Sequence, residues 1–315
     1  MNKKKIIILI SLIVCMICLI AVLGTVKKNK ATQSDTKQTE TNLNDSNKEK
    51  TEEKDKNEED EKEETEDIDD GRQKYTYGKY TVKQSLGSTE IINFWFGRNT
   101  NFARPDSALT DELATKYNSV YIGKDEKVIY LTFDEGIPIS ETENILNVLK
   151  QHKIKGTFFL TKGFIEANPD LCKRIKEEGH LCGNHSSNHP NMAEKAANDP
   201  TGFIQEVADT ETIFKENTGY ELDKVFRFPE GAFNEVALDY LNQMGYRSVF
   251  WSFAYVDWNA DGNTKEQSLT WMKNYYHNGA IYLLHAVSKG NSAALDDFIN
   301  FAEQNGFKFA KPDSI

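Results

Sequence analysis

From Lys127 onward, apolar runs of strand length alternate with amphipathic stretches of helical length, and this alternation limits the folds open to the 315-residue chain more than any other feature. The strand-like runs are 128–133, 157–160, 181–184, 225–228, 248–251, 280–284 and 307–310. Between them, helical spacing covers stretches such as 142–152, 170–178, 206–217, 235–244, 265–277 and 293–304. Glycines stand where several helices should stop, as Gly179, Gly219, Gly245, Gly279 and Gly306 do. Strands separated by helical crossovers run parallel. Seven such units predict an α/β chain folded as a distorted, incomplete seven-stranded (β/α) barrel, with a doubly wound open sheet as the alternative.

The remainder of the chain reads differently. Residues Ile6 to Val26 carry no charge and are mostly branched and apolar. As a helix they would span roughly 30 Å, the thickness of a bilayer core. Lysines flank the run on both sides (Lys3, Lys4, Lys5; Lys27, Lys28, Lys30), so the positive-inside rule is nearly tied and tips toward an N-terminus inside. The run is long and shows no small-x-small cleavage site, which favours a retained single-pass anchor over a cleaved signal. The formal net charge is −11, and the stretch from Ala31 to Asp70, with 6 Lys against 17 Asp or Glu, accounts for all of it. That stretch has no aromatic residue and cannot bury enough apolar surface to offset chain entropy, so it reads as a disordered tether. The resulting division is a cytoplasmic tip and anchor over 1–28, an acidic linker over 29–74, an extension packed on the barrel over 75–119, and a catalytic domain over 120–315. Within the extension, 91–97 is dense in apolar residues and 106–116 reads as a helix capped by Asp106 or Ser107. The domain outside the linker is close to neutral, with no basic patch to follow a phosphate backbone, which excludes nucleic acid as a partner. Cys172 and Cys182 could form a disulfide in an exported protein, but two buried free thiols is the favoured reading.

In a (β/α) barrel the reactive groups sit at the C-terminal ends of strands. Polar residues fall there repeatedly: Asp134 and Glu135 after the first run, His185 to His189 after the third, Arg227 to Gly231 around the end of the fourth, Asp257 and Trp258 after the fifth, and His285 after the sixth. His185 and His189, four apart, would face one way if the backbone turned helically, and could chelate a divalent metal with Glu135 or Asp134 as a third ligand. Two imidazoles and one carboxylate leave a position open for water. Adjacent Asp134 and Glu135 point to opposite sides of a strand and so can hold different jobs. Asp257 could hold the His285 ring and raise its pKa, suiting it to protonate a leaving amine. Arg227 would be costly to bury unpaired and should pair with Asp134. Tyr255 and Trp258 could wall a sugar site or belong to the core. Ser186 and Ser187 lack the setting of a nucleophile elbow, which argues against a serine hydrolase.

These five blocks, in this order, resemble the polysaccharide deacetylase family, carbohydrate esterase family 4 with its NodB homology domain. The resemblance spans roughly 120–315 and more weakly 91–119. Within the family, residues 250–258, 279–288 and 294–298 resemble the delta-lactam-biosynthetic de-N-acetylases, which act on N-acetylmuramic acid in spore-cortex peptidoglycan. The resemblance implies a metal-dependent N-deacetylase of peptidoglycan amino sugars, a hydrolase of carbon–nitrogen bonds other than peptide bonds, leading to muramic-delta-lactam. The metal would be zinc, with cobalt, manganese and magnesium as alternatives. Asp134 would be the general base, His285 the general acid, Arg227 and Asp257 their respective supports, and Glu135, His185 and His189 the metal ligands. Glu230, Gly231, Trp258 and Leu283 would meet substrate, Leu283 against the acetyl methyl and the Glu230 N–H against the oxyanion. The expected partners are peptidoglycan strands and, through the N-terminal helix, the cell membrane, with a monomeric catalytic domain outside the cytoplasm facing the wall. The chain departs from the family twice, with Glu135 in place of Asp and Glu230 where muramic-acid-specific members carry Arg. The second departure keeps N-acetylglucosamine open as the target, and both keep open a non-catalytic glycan-binding member.

Overall fold

The computed structural model describes residues 70–136 and 140–311. The apolar run Ile6–Val26 and the acidic stretch as far as residue 69 lie outside the described residues. Among the described residues no helix is long and apolar enough to cross a membrane.

The described chain begins with an antiparallel hairpin, β1 (Lys74–Tyr77) and β2 (Tyr80–Lys83). There follow β3 (Ile92–Asn93), α1 (Asp111–Lys116), β4 (Ser119–Val120), β5 (Val128–Glu135), α2 (Thr142–His152), β6 (Thr157–Leu160), α3 (Lys162–Ala167) and α4 (Pro169–Glu177). Next come β7 (Leu181–Asn184), α5 (Met192–Asn198), α6 (Pro200–Thr218), β8 (Val225–Phe226), β9 (Ala232–Phe233), α7 (Glu235–Gln243) and β10 (Arg247–Val249). The chain closes with α8 (Lys265–Asn274), β11 (Ala280–His285), α9 (Lys289–Gln304) and β12 (Lys308–Ala310).

Seven of these strands form one parallel path, β11-β5-β6-β7-β8-β10-β4. β12 pairs with β5 off that path, beside residues 128–130, while β6 takes the same edge of β5 further along, beside 132–135. The predicted alternation is therefore present, but the seventh strand of the path is the two-residue β4, which carries no strand-length apolar run. The 307–310 run is the extra eighth strand. The two ends of the path meet, because Ile122 just beyond β4 bridges Ala280 of β11, and Phe253 beyond β10 bridges Tyr282. That closure by short bridges makes a distorted barrel rather than an open doubly wound sheet.

Three buried apolar groups define the layers. One side chain from each of six strands fills the lumen: Val120, Tyr130, Phe159, Val225, Val249 and Ile281. A second group joins the opposite faces of β5, β6 and β11 to α2, α4 and α9, through residues such as Leu131, Phe133, Leu146, Phe158 and Phe298. A third packs α5, α6 and α7 with the N-terminal hairpin. Strands buried on both faces explain why 128–133 and 280–284 read as unbroken apolar runs.

Several boundaries differ from the expected ones for local reasons. The expected helix over 106–116 forms only over Asp111–Lys116, with Thr110 as cap, because Ser107 bridges Phe96 and its hydroxyl meets the Leu109 backbone. Helix α6 starts six residues early, at Pro200, with Asp199 accepting the Gly202 N–H. Helix α9 starts four residues early, with Ser288 accepting the Asn291 N–H. Both are proline or hydroxyl N-terminal signals placed ahead of the apolar periodicity. Cys172 and Cys182 are buried and free.

Gly183 in β7 abuts the lumen, and a Cβ there would lie 2.6 Å from Cδ1 of Phe159 and 3.0 Å from Cγ2 of Val225. Gly183→Ala should destabilise the domain by about 1–3 kcal/mol, the usual cost of overpacking. Urea unfolding monitored by circular dichroism checks this; a midpoint equal to that of the parent would show that the lumen yields.

Candidate active site

Strand register explains why the polar residues converge. On adjacent parallel strands Asp134 of β5 is the direct partner of His285 of β11, so their side chains leave the sheet on the same face. The backbone ladder continues one residue past β7 and β8, since the His185 N–H donates to the Leu160 carbonyl at 3.0 Å and the Arg227 N–H to the Asn184 carbonyl at 3.0 Å. A cavity of about 560 Å³ opens at this end of the barrel, and Asp134, Glu135, His185, His189, Glu230, Trp258, Leu283 and His285 all line it.

Arg227 forms the floor. It is fully buried, its guanidinium lies 4.2 Å from the Phe159 ring, and every branch is satisfied. Nη1 donates to Asp134 Oδ1 at 2.8 Å, Nε to the Val249 carbonyl at 3.0 Å, and Nη2 to the Phe250 carbonyl at 3.2 Å. Burial alone would raise the Asp134 carboxyl, but the charge of Arg227 holds it below the usual carboxylate range. The backbone carbonyl of Arg227 accepts Nδ1–H of His185 at 2.9 Å, which fixes the tautomer and leaves Nε2 unprotonated, 3.7 Å from Asp134 Oδ2. Burial pushes His185 down to about 4, so the ring stays neutral.

His285 is held from the other side. Burial would lower its pKa, yet Asp257 outweighs that and the group is raised. Asp257 Oδ1 meets His285 Nδ1 at 2.7 Å, and Oδ2 accepts the His285 backbone N–H at 3.0 Å. Asp257 is in turn held by Asn291, whose amide donates to Oδ2 at 2.6 Å, and Tyr255 donates to Asn291 Oδ1. Tyr255 thus belongs to the buried support, while Trp258 is a wall, 57 % exposed, with its ring 6.1 Å from that of His285.

The histidine pair meets without a helix. Ser186 and His189 both take left-handed backbone, φ 64° and 55°, and the two rings approach to 4.9 Å, edge to face. Ser186 Oγ accepts the His189 N–H at 3.0 Å. Glu206 of α6, nearly buried, accepts both the N–H and the side-chain amide of Asn188, at 2.8 and 2.9 Å, and so clamps the loop between the histidines.

Two expected positions are held differently from what was expected. Glu135 lies on the cavity wall but its Oε1 accepts the Thr142 hydroxyl at 2.5 Å, and burial raises its carboxyl to about 8. Among the described residues no three His, Cys, Asp or Glu side chains close on a common point. The imidazoles of His185 and His189 suit a divalent cation; the structure does not bring Glu135 in as their third partner. Gly231, φ 73°, packs under Trp251 and Phe94 with its carbonyl taken by the Phe94 N–H, and does not line the cavity. Glu230 does, exposed and at φ 57°.

Sequence reasoning missed Asn291 and Glu206. Each lies in the part of a helix that the apolar periodicity left out or barely reached. Ser288, three residues before Asn291, and Asp199-Pro200 ahead of Glu206 were the available signals.

A carboxylate held ionised and a histidine biased toward protonation, set across one cavity at the mouth of a barrel, define an acid–base hydrolase. The polysaccharide deacetylase family model matches residues 122–249, a span that ends before Asp257 and His285. Over 231 residues the chain is 40 % identical to the peptidoglycan-N-acetylmuramic acid deacetylase PdaA of Bacillus subtilis, covering 72 % of this chain and 86 % of that protein. The solved structure of PdaA, described as a family 4 carbohydrate esterase, superposes with a TM-score of 0.68 at 39 % identity, covering 72 % of this chain and 97 % of the other. A peptidoglycan-N-acetylglucosamine deacetylase of Bacillus cereus is 32 % identical over 205 residues, 64 % of this chain and 72 % of that one. The chain belongs to the polysaccharide deacetylase family, the family 4 carbohydrate esterases, whose deacetylases are hydrolases of carbon–nitrogen bonds other than peptide bonds.

Asp257→Asn removes the main influence that raises His285 and leaves burial, which lowers it. A step that needs protonated His285 then loses activity at lower pH. The alkaline limb of the kcat profile should move down by on the order of one pH unit; an unmoved limb would separate His285 from the proton transfer.

Proposed function

We propose that this protein removes the acetyl group from N-acetylmuramic acid units of peptidoglycan, the step that leads to muramic-delta-lactam in spore cortex. The observation that carries a deacetylase reading is the register pair Asp134–His285, with one group lowered and the other raised across a single cavity. The muramic reading draws on the similarity to PdaA over most of both chains. A specific observation favours a second reading: Glu230 lines the cavity and would repel the lactyl carboxylate of muramic acid, which suits N-acetylglucosamine as the target. A non-catalytic glycan-binding role fits less well, because both members of the acid–base pair and their buried supports are in place.

In the proposed reaction the acetamide lies between Asp134 and His285, with its methyl toward Leu283 and its pyranose ring against Trp258. Asp134, kept ionised by Arg227, accepts a proton from the attacking water. The Glu230 backbone N–H faces the oxyanion. His285, supported by Asp257, gives its proton to the nitrogen as the carbon–nitrogen bond breaks, releasing acetate and a free amine. His185 and His189 would hold a divalent cation, zinc first, which when bound would polarise the acetamide carbonyl. The apolar run and acidic stretch at the N-terminus support a single-pass anchor that places a monomeric catalytic domain outside the cytoplasm, against the wall.

Acetate released from purified glycan strands tests the reading. Asp134→Asn should cut the rate by about 10²–10⁴-fold while the domain stays folded by circular dichroism; a folded variant as active as the parent would defeat the assignment of base. Muropeptides from cells lacking the protein should lose muramic-lactam, whereas loss of free glucosamine would select the second target. Calorimetric titration with Zn²⁺ examines the cation: His185→Ala should remove the binding heat and Glu135→Gln should keep it, and loss in Glu135→Gln would make Glu135 a ligand after all.

A further inference from the structure

Trp258 lines two cavities. Beyond the catalytic one lies a second of about 500 Å³, bounded by Arg98, Val256, Trp258, Asn259, Asn263 and Trp271 among others. Its size falls in the range of small-ligand sites. Trp258 and Val256 are 57 % and 61 % exposed, so the cavity presents an indole and an apolar side chain to solvent. The Asn259 side-chain amide makes no hydrogen bond within the described residues, leaving it open to a hydroxyl.

Arg98 gives this cavity its charge. Its guanidinium stands over three rings, 5.1 Å from that of Trp271, 5.4 Å from Tyr275 and 5.5 Å from Phe96, and Nη2 donates to the Ala254 carbonyl. Ring faces hold a guanidinium without using its N–H edge, so its donors are oriented in advance. Among the described residues no carboxylate pairs with it. The donors not spent on Ala254, fixed by the rings and without an acidic partner, are matched to a carboxylate oxygen. The neighbouring catalytic cavity has the opposite bias, because Glu230 on its wall disfavours an anion there.

We propose that the second cavity is a glycan subsite in which Arg98 binds a lactyl carboxylate carried by the substrate strand, with Trp258 as the wall it shares with the catalytic cavity. This rests on the reading of peptidoglycan as substrate. The carboxylate belongs either to the ring being deacetylated, turned away from Glu230, or to the ring beside it.

Binding to the full chain carrying Asp134→Asn, in which turnover should be too slow to consume the probe, gives the test. The probes are peptide-free glycan strands, the same strands with their lactyl carboxylates converted to amides, and N-acetylmuramic acid alone. Adding Arg98→Gln should weaken binding of the carboxylate strands about tenfold, as expected for one hydrogen bond to a charged group. The loss should shrink on the amidated strands and in high salt. Weakened binding of free N-acetylmuramic acid as well would place the carboxylate on the reacting ring, and an effect confined to strands would place it on the neighbour. Equal affinity with and without Arg98, an equal loss on amidated strands, or no glycan binding at all overturns the subsite. If the strands bind through Arg98 yet the chain with Asp134 intact releases no acetate, the deacetylase reading fails and the subsite stands.

Discussion

The ion pair between Arg227 and Asp134 is the interaction on which the cavity depends. Both partners are buried, and a buried charge is tolerated only when its partner and hydrogen bonds are all in place. The barrel supplies them. Phe159 fills the lumen beneath the guanidinium, two carbonyls at the end of β10 accept from Nε and Nη2, and the Asp134 carboxylate accepts from Nη1. Removing one partner from such a pair costs about 3–5 kcal/mol, because the other charge is left uncompensated. The same residue also organises the histidine loop, since its backbone carbonyl sets the His185 tautomer. One strand end therefore fixes the ionisation of the proposed base and the lone-pair direction of the imidazole facing it.

Parallel pairing then does for the proposed acid what Arg227 does for the proposed base. Asp134 and His285 are register partners, so no loop search is needed to bring them to one face. Their environments differ because their supports differ: a guanidinium below one, a carboxylate backed by Asn291 and Tyr255 behind the other. Two titratable groups side by side are thus driven in opposite directions, as general acid–base chemistry near neutral pH requires.

The sequence carried the outline of this arrangement because strand ends are legible: an apolar run that stops on Asp, His or Arg marks the rim of a parallel barrel. What it did not carry is set by non-periodic structure. The approach of His185 and His189 comes from two left-handed residues and a clamp by Glu206, not from a helical turn, and only the distant α6 supplies that clamp. β4 is too short to leave an apolar signature, yet it closes the path. Asn291 sits in the first turn of α9, ahead of the apolar stripe, so periodicity passed over the residue that holds Asp257.

Glu135 shows how the site keeps its charges balanced. Its side chain leaves β5 on the side opposite Asp134, as alternation demands, and reaches the first turn of α2. Ionised there, it would add a second buried negative charge beside Asp134; raised to about 8 by burial, it stays protonated at neutral pH. Arg227 compensates Asp134, Asp257 pairs with His285 and raises its pKa, and His185 is neutral. Further out, among the described residues, Glu230 on the catalytic wall and Arg98 in the adjoining cavity have no ionic partner. Under the proposed reading, a substrate carrying both an acetamide and a carboxylate meets an acid, Glu230, that turns its anion away, and a guanidinium across Trp258 that can receive it.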